Sequence, residues 1–247
     1  MQHPRRIALI DIARTVAIIA MVVFHFTYDL ELFGFAPRGT MASPEWIRFA
    51  KIIASSFIFL SGVSLVLGSL TGPIVARKYL KRLAMIGCAA IAVTLGTYFA
   101  MGSAFVRFGI LHLLFVSSIL GLLFLNRPFW TAACLGAVLL ALPYFTNWPF
   151  LGSNIWLWLG QTKETMPPMV DYIPLIPWFG MFLLGMSCAQ LLHRLGRWPA
   201  IAGVLSSDGT LVRALSWPGQ HSLAIYLIHQ PVLFGSVSLA RSLMGWP

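Results

Sequence analysis

Apolar runs of close to twenty residues alternate along the chain with polar or basic connections. Wound as a helix, a run of that length crosses the hydrocarbon core of a bilayer. The pattern predicts helices at roughly 7–28, 47–70, 80–100, 108–125, 129–146, 173–192 and 221–240, about seven spans in all. The fifth is the weakest, because Pro143 and two short polar breaks shorten it. Most connections are short, but two are long, at about 147–172 and about 193–220. The first is rich in Trp, Pro and Gly and includes Trp148, Trp156 and Trp158. Such aromatics favour the membrane interface, so a short interfacial helix over one mouth of the bundle is expected there.

Composition supports the pattern. The 247 residues are 58% hydrophobic and 10% charged, and the mean hydropathy is +0.82. A soluble domain keeps about a quarter of its residues charged. The expected fold class is therefore all-α: a polytopic membrane helix bundle, one domain over residues 1–247, with no room for a separate soluble domain. The N-terminal run is too long and too interrupted by charge for a cleavable signal. Cys88, Cys134 and Cys188 lie within apolar runs and read as packing residues, without a disulfide framework or a metal site.

The net charge of +10 follows the connections. Arg5, Arg6, Arg77, Lys78, Lys81, Arg82, Arg127, Arg194, Arg197 and Arg213 fall on one side if the helices alternate. Arg38, Arg48, Lys51, Arg107, Lys163 and Arg241 fall on the other, offset by Asp29, Glu31, Glu45, Glu164 and Asp171. The excess is a topology signal that puts the N-terminus in the cytoplasm and the C-terminus outside. Nucleic acid is not the expected partner; the lipid bilayer is.

The first run, IDIARTVAIIAMVVFHFTYDL, carries Asp11, Arg14, His25 and Asp29. At about 100° per residue, with Asp11 at zero, Arg14 falls near about −60°, His25 near about −40° and Asp29 near zero again. One narrow stripe thus holds four ionisable groups, which cost several kcal/mol in a membrane unless paired or hydrated. Asp11 and Arg14, spaced i,i+3, can pair as a structural ion pair or serve a ligand. His25 and Asp29, spaced i,i+4, can hydrogen-bond, which would orient the imidazole and suit it to general-base work. The bland reading of His25 is a satisfied bundle histidine. Arg14 and His25 lie about 16 Å apart along the axis, a span that accommodates an extended thioester arm.

Further candidates lie in other runs. VRFGILHLL holds Arg107, either a snorkelling cation or an anion ligand, and His112, either a packing residue or a catalytic one. QHSLAIYLIHQPVLF puts Tyr226 and His229 on one face, with Pro231 freeing a backbone carbonyl one turn earlier. RKYLKR, ending at Arg82, is a positive-inside anchor or a phosphate-binding group that includes Lys78. Ser55, Ser56, Ser61, Gly62, Ser64, Gly68 and Ser69 on the second helix, and Gly180 and Gly185 in PWFGMFLLGM, read as close-packing positions. No GxSxG, HExxH, CxxC or P-loop pattern is present.

IDIARTVAIIAMVVFHFTYDL, FIFLSGVSL, KYLKRL, VRFGILHLL, PWFGMFLLG and HSLAIYLIHQPVL, in that order, resemble blocks of the bacterial relatives of heparan-alpha-glucosaminide N-acetyltransferase. Asp-x-x-Arg followed eleven residues later by His is also similar to the opening of the acyltransferase-3 family. Thr15 departs from the pattern, standing where such motifs commonly carry Gly. The resemblance implies a multi-pass enzyme of the bacterial inner membrane. It would move an acetyl or other acyl group from acyl-CoA to a sugar or envelope-glycan acceptor. Acetyl-CoA would be a co-substrate, no cofactor would be bound permanently, and a homodimer is compatible with the reading. His25 occupies the motif position for a base or transient acyl carrier, with Asp29 and His112 as catalytic partners. Arg14 would bind the donor and Asp11 orient it, with Lys78 and Arg82 on the donor's phosphates. Arg107, Tyr226 and His229 would serve the acceptor. A transporter or flippase using the stripe as a proton or solute path is the alternative. A haem ligated by His25, His112 or His229 lacks any paired histidine spacing within a helix.

Overall fold

The computed structural model describes residues 7–70, 72, 75–145, 156–160, 167–204 and 209–245. Among them are nine α-helices: α1 (Ala8–Leu32), α2 (Pro44–Leu70), α3 (Ala76–Met101), α4 (Ile110–Gly121), α5 (Phe129–Phe145), α6 (Leu175–Arg194), α7 (Trp198–Gly203), α8 (Thr210–Gln220) and α9 (Ser222–Leu243). No strand forms among the described residues beyond an isolated bridge between Phe108 and Tyr172. The all-α expectation holds, and each of the seven predicted runs coincides with a helix.

The seven expected spans are met in part. Among the described residues, five helices are long and apolar enough to cross a membrane: α1, α2, α3, α6 and α9. The fourth and fifth runs form shorter apolar helices, over Ile110–Phe124 and Phe129–Phe145. The fourth falls short because Phe108 bridges Tyr172 and Gly109 is extended, so the helix starts only at Ile110. The connection at 193–220 is not simply a loop, since α7 and α8 form within it. Most of 147–172, including Trp148, lies outside the described residues; the described Trp156 and Trp158 sit on a short turn, each part-exposed.

The chain divides into two compact units, residues 1–57 with 198–247, and residues 58–197. In the first, α1 packs on α8 and α9. Its buried positions include Ala8, Asp11, Thr15, Ile18 and Asp29, which recur with helical period. Leu9, Val16, Ile19, Val23 and Phe26 line its exposed face. The polar stripe of α1 is therefore its packed face and the apolar one its outer face.

Thr15 explains how α8 survives Pro218, which cannot donate to the helical ladder. The Thr15 hydroxyl donates to the Leu215 carbonyl at 2.7 Å, with the Asp11 carbonyl at 3.1 Å as a second acceptor, and accepts from the Gly219 N–H at 2.9 Å. Leu215 O and Gly219 N are groups that a helix pairs with each other, i to i+4. The approach leaves no room for a side chain at 219, where a Cβ would lie 1.9 Å from the Asp11 carbonyl oxygen.

In the second unit, α6 packs on α5 and α4, and α4 on α3. Phe182, Leu183 and Met186 are fully buried on α6. Gly62, Gly180 and Gly185 have the packing role read from sequence, whereas Gly68 faces open space. A Cβ on Gly62 would lie 2.1 Å from Phe182 O, one on Gly185 would lie 2.1 Å from Phe59 O, and Gly136 and Gly180 face each other across α5 and α6. Gly185→Ala is expected to lower the stability of the purified protein by about 1–3 kcal/mol, the usual range for overpacking. A thermal melt in detergent, with Gly96→Ala as the control in open space, measures the difference.

Candidate functional site

The C-terminal half of α1 and the middle of α9 bring together His25, Asp29, Tyr226, His229 and Gln230. The rings of His25 and His229 lie 4.9 Å apart at 61°, and Tyr226 stands 5.7 Å from His229. Asp29 is wholly buried and His229 is 8% exposed. The expected His25–Asp29 hydrogen bond is not the one that forms. Asp29 Oδ1 instead accepts from Gln230 Nε2 at 2.9 Å. His229 Nδ1 lies 2.7 Å from the Tyr226 carbonyl. Three buried atoms here have no hydrogen-bond partner among the described residues: Asp29 Oδ2, Gln230 Oε1 and His229 Nε2. Native interiors satisfy nearly all such groups, so three in one cluster mark a place suited to a ligand or water.

The N-terminal end of α1 is different. Arg14 donates to Asp11 Oδ1 at 3.0 Å, and Gln220 donates to Asp11 Oδ2 at 3.2 Å. Both oxygens of the buried Asp11 are engaged, and the Gln220 bond ties α1 to the end of α8. At the C-terminal end, Glu31 accepts from Gly39 N on one oxygen and Met41 N on the other, each at 2.7 Å, which fixes the turn leading to α2.

Arg107 and His112 belong to the second unit, in a polar knot that is satisfied internally. Arg107 donates to Ser103 O at 3.1 Å and Pro168 O at 3.3 Å, and its guanidinium lies 4.1 Å from the Phe105 ring centre. The Thr94 hydroxyl donates to Val106 O at 2.8 Å, so it accepts from His112 Nε2 at 3.2 Å. His112 Nδ1 accepts from Gly109 N at 3.3 Å. Both ring nitrogens are occupied in capping α4. Asp171 completes the cap, accepting from Ile110 N at 3.0 Å across sixty-one residues of sequence. A carboxylate at a helix N-terminus replaces the capping side chain that Gly109 lacks. Val170 N and Ile173 N bond Ala104 O and Phe108 O, so the segment before α6 is laced to the start of α4.

On α3, Lys78 is exposed and Arg82 half-buried. Tyr79 donates to Ser118 O, seating this turn on α4. Arg82 forms no ion pair with a carboxylate among the described residues, where the pairs are Arg14–Asp11 and Arg48–Glu45.

Gln220, Gln230 and Asp171 were missed as site or anchor residues in the sequence. Gln230 left one signal, an amide between His229 and Pro231 within an apolar run. Nothing local marked Asp171, whose partner is distant in sequence.

Long apolar helices with ionisable groups on a packed face define a polytopic membrane protein with a polar interior. The chain belongs to the heparan-alpha-glucosaminide N-acetyltransferase catalytic family, whose profile matches residues 6–231. Neither a curated protein nor a solved structure matches it significantly. The resemblance read from the ordered motifs is borne out.

Burial pushes the Asp171 carboxyl up to about 6, partly opposed by the Ile110 N–H. The folded state thus holds a proton at Asp171 more tightly than the unfolded chain, whose group titrates near 3.8. Its contribution to stability is fullest below that value and falls as pH rises toward about 6. Asp171→Asn is expected to remove this part of the slope and to leave stability at pH 7 equal or higher. Melting temperatures of both proteins measured across that interval test the sign.

Proposed function

We propose that this chain is an acetyltransferase of the bacterial inner membrane, with its N-terminus in the cytoplasm. It would transfer the acetyl group of acetyl-CoA to an amino-sugar or envelope-glycan acceptor. The observation that carries the proposal is the His25–His229 ring pair beside the Asp29–Gln230 bond, buried and with unmet hydrogen-bond capacity. The activity for which the family is named supplies the reaction class.

The unmet oxygens and nitrogen are suited to accept hydrogen bonds, the complement of hydroxyl and amine groups on a sugar. Tyr226 completes the aromatic wall, as sugar recognition favours. Proton removal from the acceptor by an imidazole lets the hydroxyl or amine attack the thioester carbonyl. A protonated amine has no lone pair with which to attack, so a base that takes its proton is needed near neutral pH.

For the donor, Arg82 and Lys78 are assigned to its phosphates, because Arg82 has no carboxylate partner among the described residues. Asp11 and Arg14 are assigned to holding α1 and α8 in register, since their oxygens and guanidinium already serve each other and Gln220. Arg107 and His112 are likewise assigned to the α4 cap rather than to chemistry.

Purified protein given radiolabelled acetyl-CoA and glucosamine is expected to form labelled product. His25→Ala, which breaks the ring pair, should lower kcat while melting normally. Arg82→Ala should raise KM for acetyl-CoA with little change in kcat. Solute flux in proteoliposomes without any acetyl transfer would instead identify a transporter.

A further inference from the structure

The two histidines of the pair are not equivalent. A carbonyl oxygen can only accept a hydrogen bond, so the 2.7 Å contact with Tyr226 O fixes the hydrogen of neutral His229 on Nδ1. Its lone pair is then on Nε2, the buried nitrogen with no protein partner. His25 makes ring contacts with Phe24 and His229 but no hydrogen bond fixes either of its nitrogens. One ring has its tautomer set by the backbone of its own helix; the other is free to present either nitrogen. Orienting an imidazole through Nδ1–H so that Nε2 faces the chemistry is the way proteins prepare a general base.

The source of this order is local. His229 and Tyr226 are three residues apart on α9, two residues before Pro231. The Tyr226 carbonyl, one turn earlier on the same helix, is within reach of the ring. Asp29 and Gln230 then bond α1 to α9 next to the rings, which holds their spacing.

We infer that His229, through Nε2, is the base that accepts the proton of the attacking sugar group, and that His25 is the neighbouring ring that positions the reactants. The inference rests on the acetyltransferase reading above. The acceptor's O–H or N–H bond breaks as its heavy atom bonds the thioester carbonyl carbon, and the proton moves to His229 Nε2. The carbon–sulfur bond then breaks, and the imidazolium returns the proton to the departing CoA thiolate. No oxidant, reductant or further reactant is required. His25 lends a hydrogen bond from whichever nitrogen faces the reacting group.

The test is the pH dependence of kcat in the full-length protein in nanodiscs, with acetyl-CoA and glucosamine as the substrates. Wild type is expected to lose rate at acid pH as the base is protonated. His229→Gln should lose about 10²-fold or more of kcat and, with it, that acid limb, while binding acetyl-CoA as wild type does. His25→Gln should be slower yet keep the limb. Imidazole added to His229→Ala should restore part of the rate, and the same addition to His25→Ala should not. If His229→Gln keeps the acid limb and His25→Gln loses it, the two roles are reversed and the inference fails while the acetyltransferase reading stands. If wild type transfers no acetyl group at all, the reading itself fails and the inference with it. Should His229→Gln not fold, ¹⁵N-histidine spectra of the wild type decide: His229 held as the Nδ1–H tautomer supports the inference, and an Nε2–H tautomer overturns it.

Discussion

A carboxylate inside a membrane helix must find hydrogen-bond donors, and in the first unit that need fixes how α1 meets α8 and α9. Asp11 and Asp29 lie about 27 Å apart along α1 but on the same face, because eighteen residues make five turns. Each is met by a glutamine, Gln220 at one end and Gln230 at the other. A carboxamide donates to the carboxylate without bringing a second buried charge. The two ends then differ in one respect. Asp11 also has Arg14, so both of its oxygens are used, whereas Asp29 Oδ2 is left over. The same kind of contact therefore engages both oxygens at one end of the helix and, among the described residues, leaves one buried oxygen without a partner at the other.

The second unit shows what a completed polar cluster looks like. Arg107, His112, Thr94 and Asp171 would read as an active site from residue types alone. Yet the nitrogens of His112 are spent on Thr94 and Gly109, and Arg107 is spread over two carbonyls and a ring. What remains is an anchored helix terminus. Residue chemistry nominates a site, but the balance of donors and acceptors around each atom separates an anchor from a reactive group. By that measure the His25–His229 cluster and the α4 cap fall on opposite sides, though each contains a histidine, an acid and an aromatic ring.

Much of this was legible in the sequence, and the limits have physical causes. Helix period put Asp11, Arg14, His25 and Asp29 on one stripe, and that stripe is the packed face. Period cannot say who sits opposite, so the i,i+4 geometry suggested His25 for Asp29 while the fold supplies Gln230, two hundred and one residues away in sequence. Asp171 was invisible for the same reason. The missing α8 has another cause. Pro218 and Gly219 read as breakers, and only the Thr15 hydroxyl, from α1, supplies the bonds that carry the helix through them. The shortened fourth run reflects the bridge at Phe108, which removes residues from the helix that hydropathy alone would include.

Thr15 also shows why a departure from a family pattern can be informative. Glycine at that position would permit close approach of two helices but would bring no hydroxyl. Here the close approach is supplied from the other partner, by Gly219, whose absent Cβ leaves room for the Asp11 carbonyl. The small residue has in effect moved to the opposite helix, and α1 gains a hydroxyl that completes the α8 ladder. Two sequences can therefore keep the same helix contact with the glycine on either side of it. The residue that looks like an exception in α1 is the one that lets Pro218 lie within α8, and through α8 it helps to seat Gln220 on Asp11.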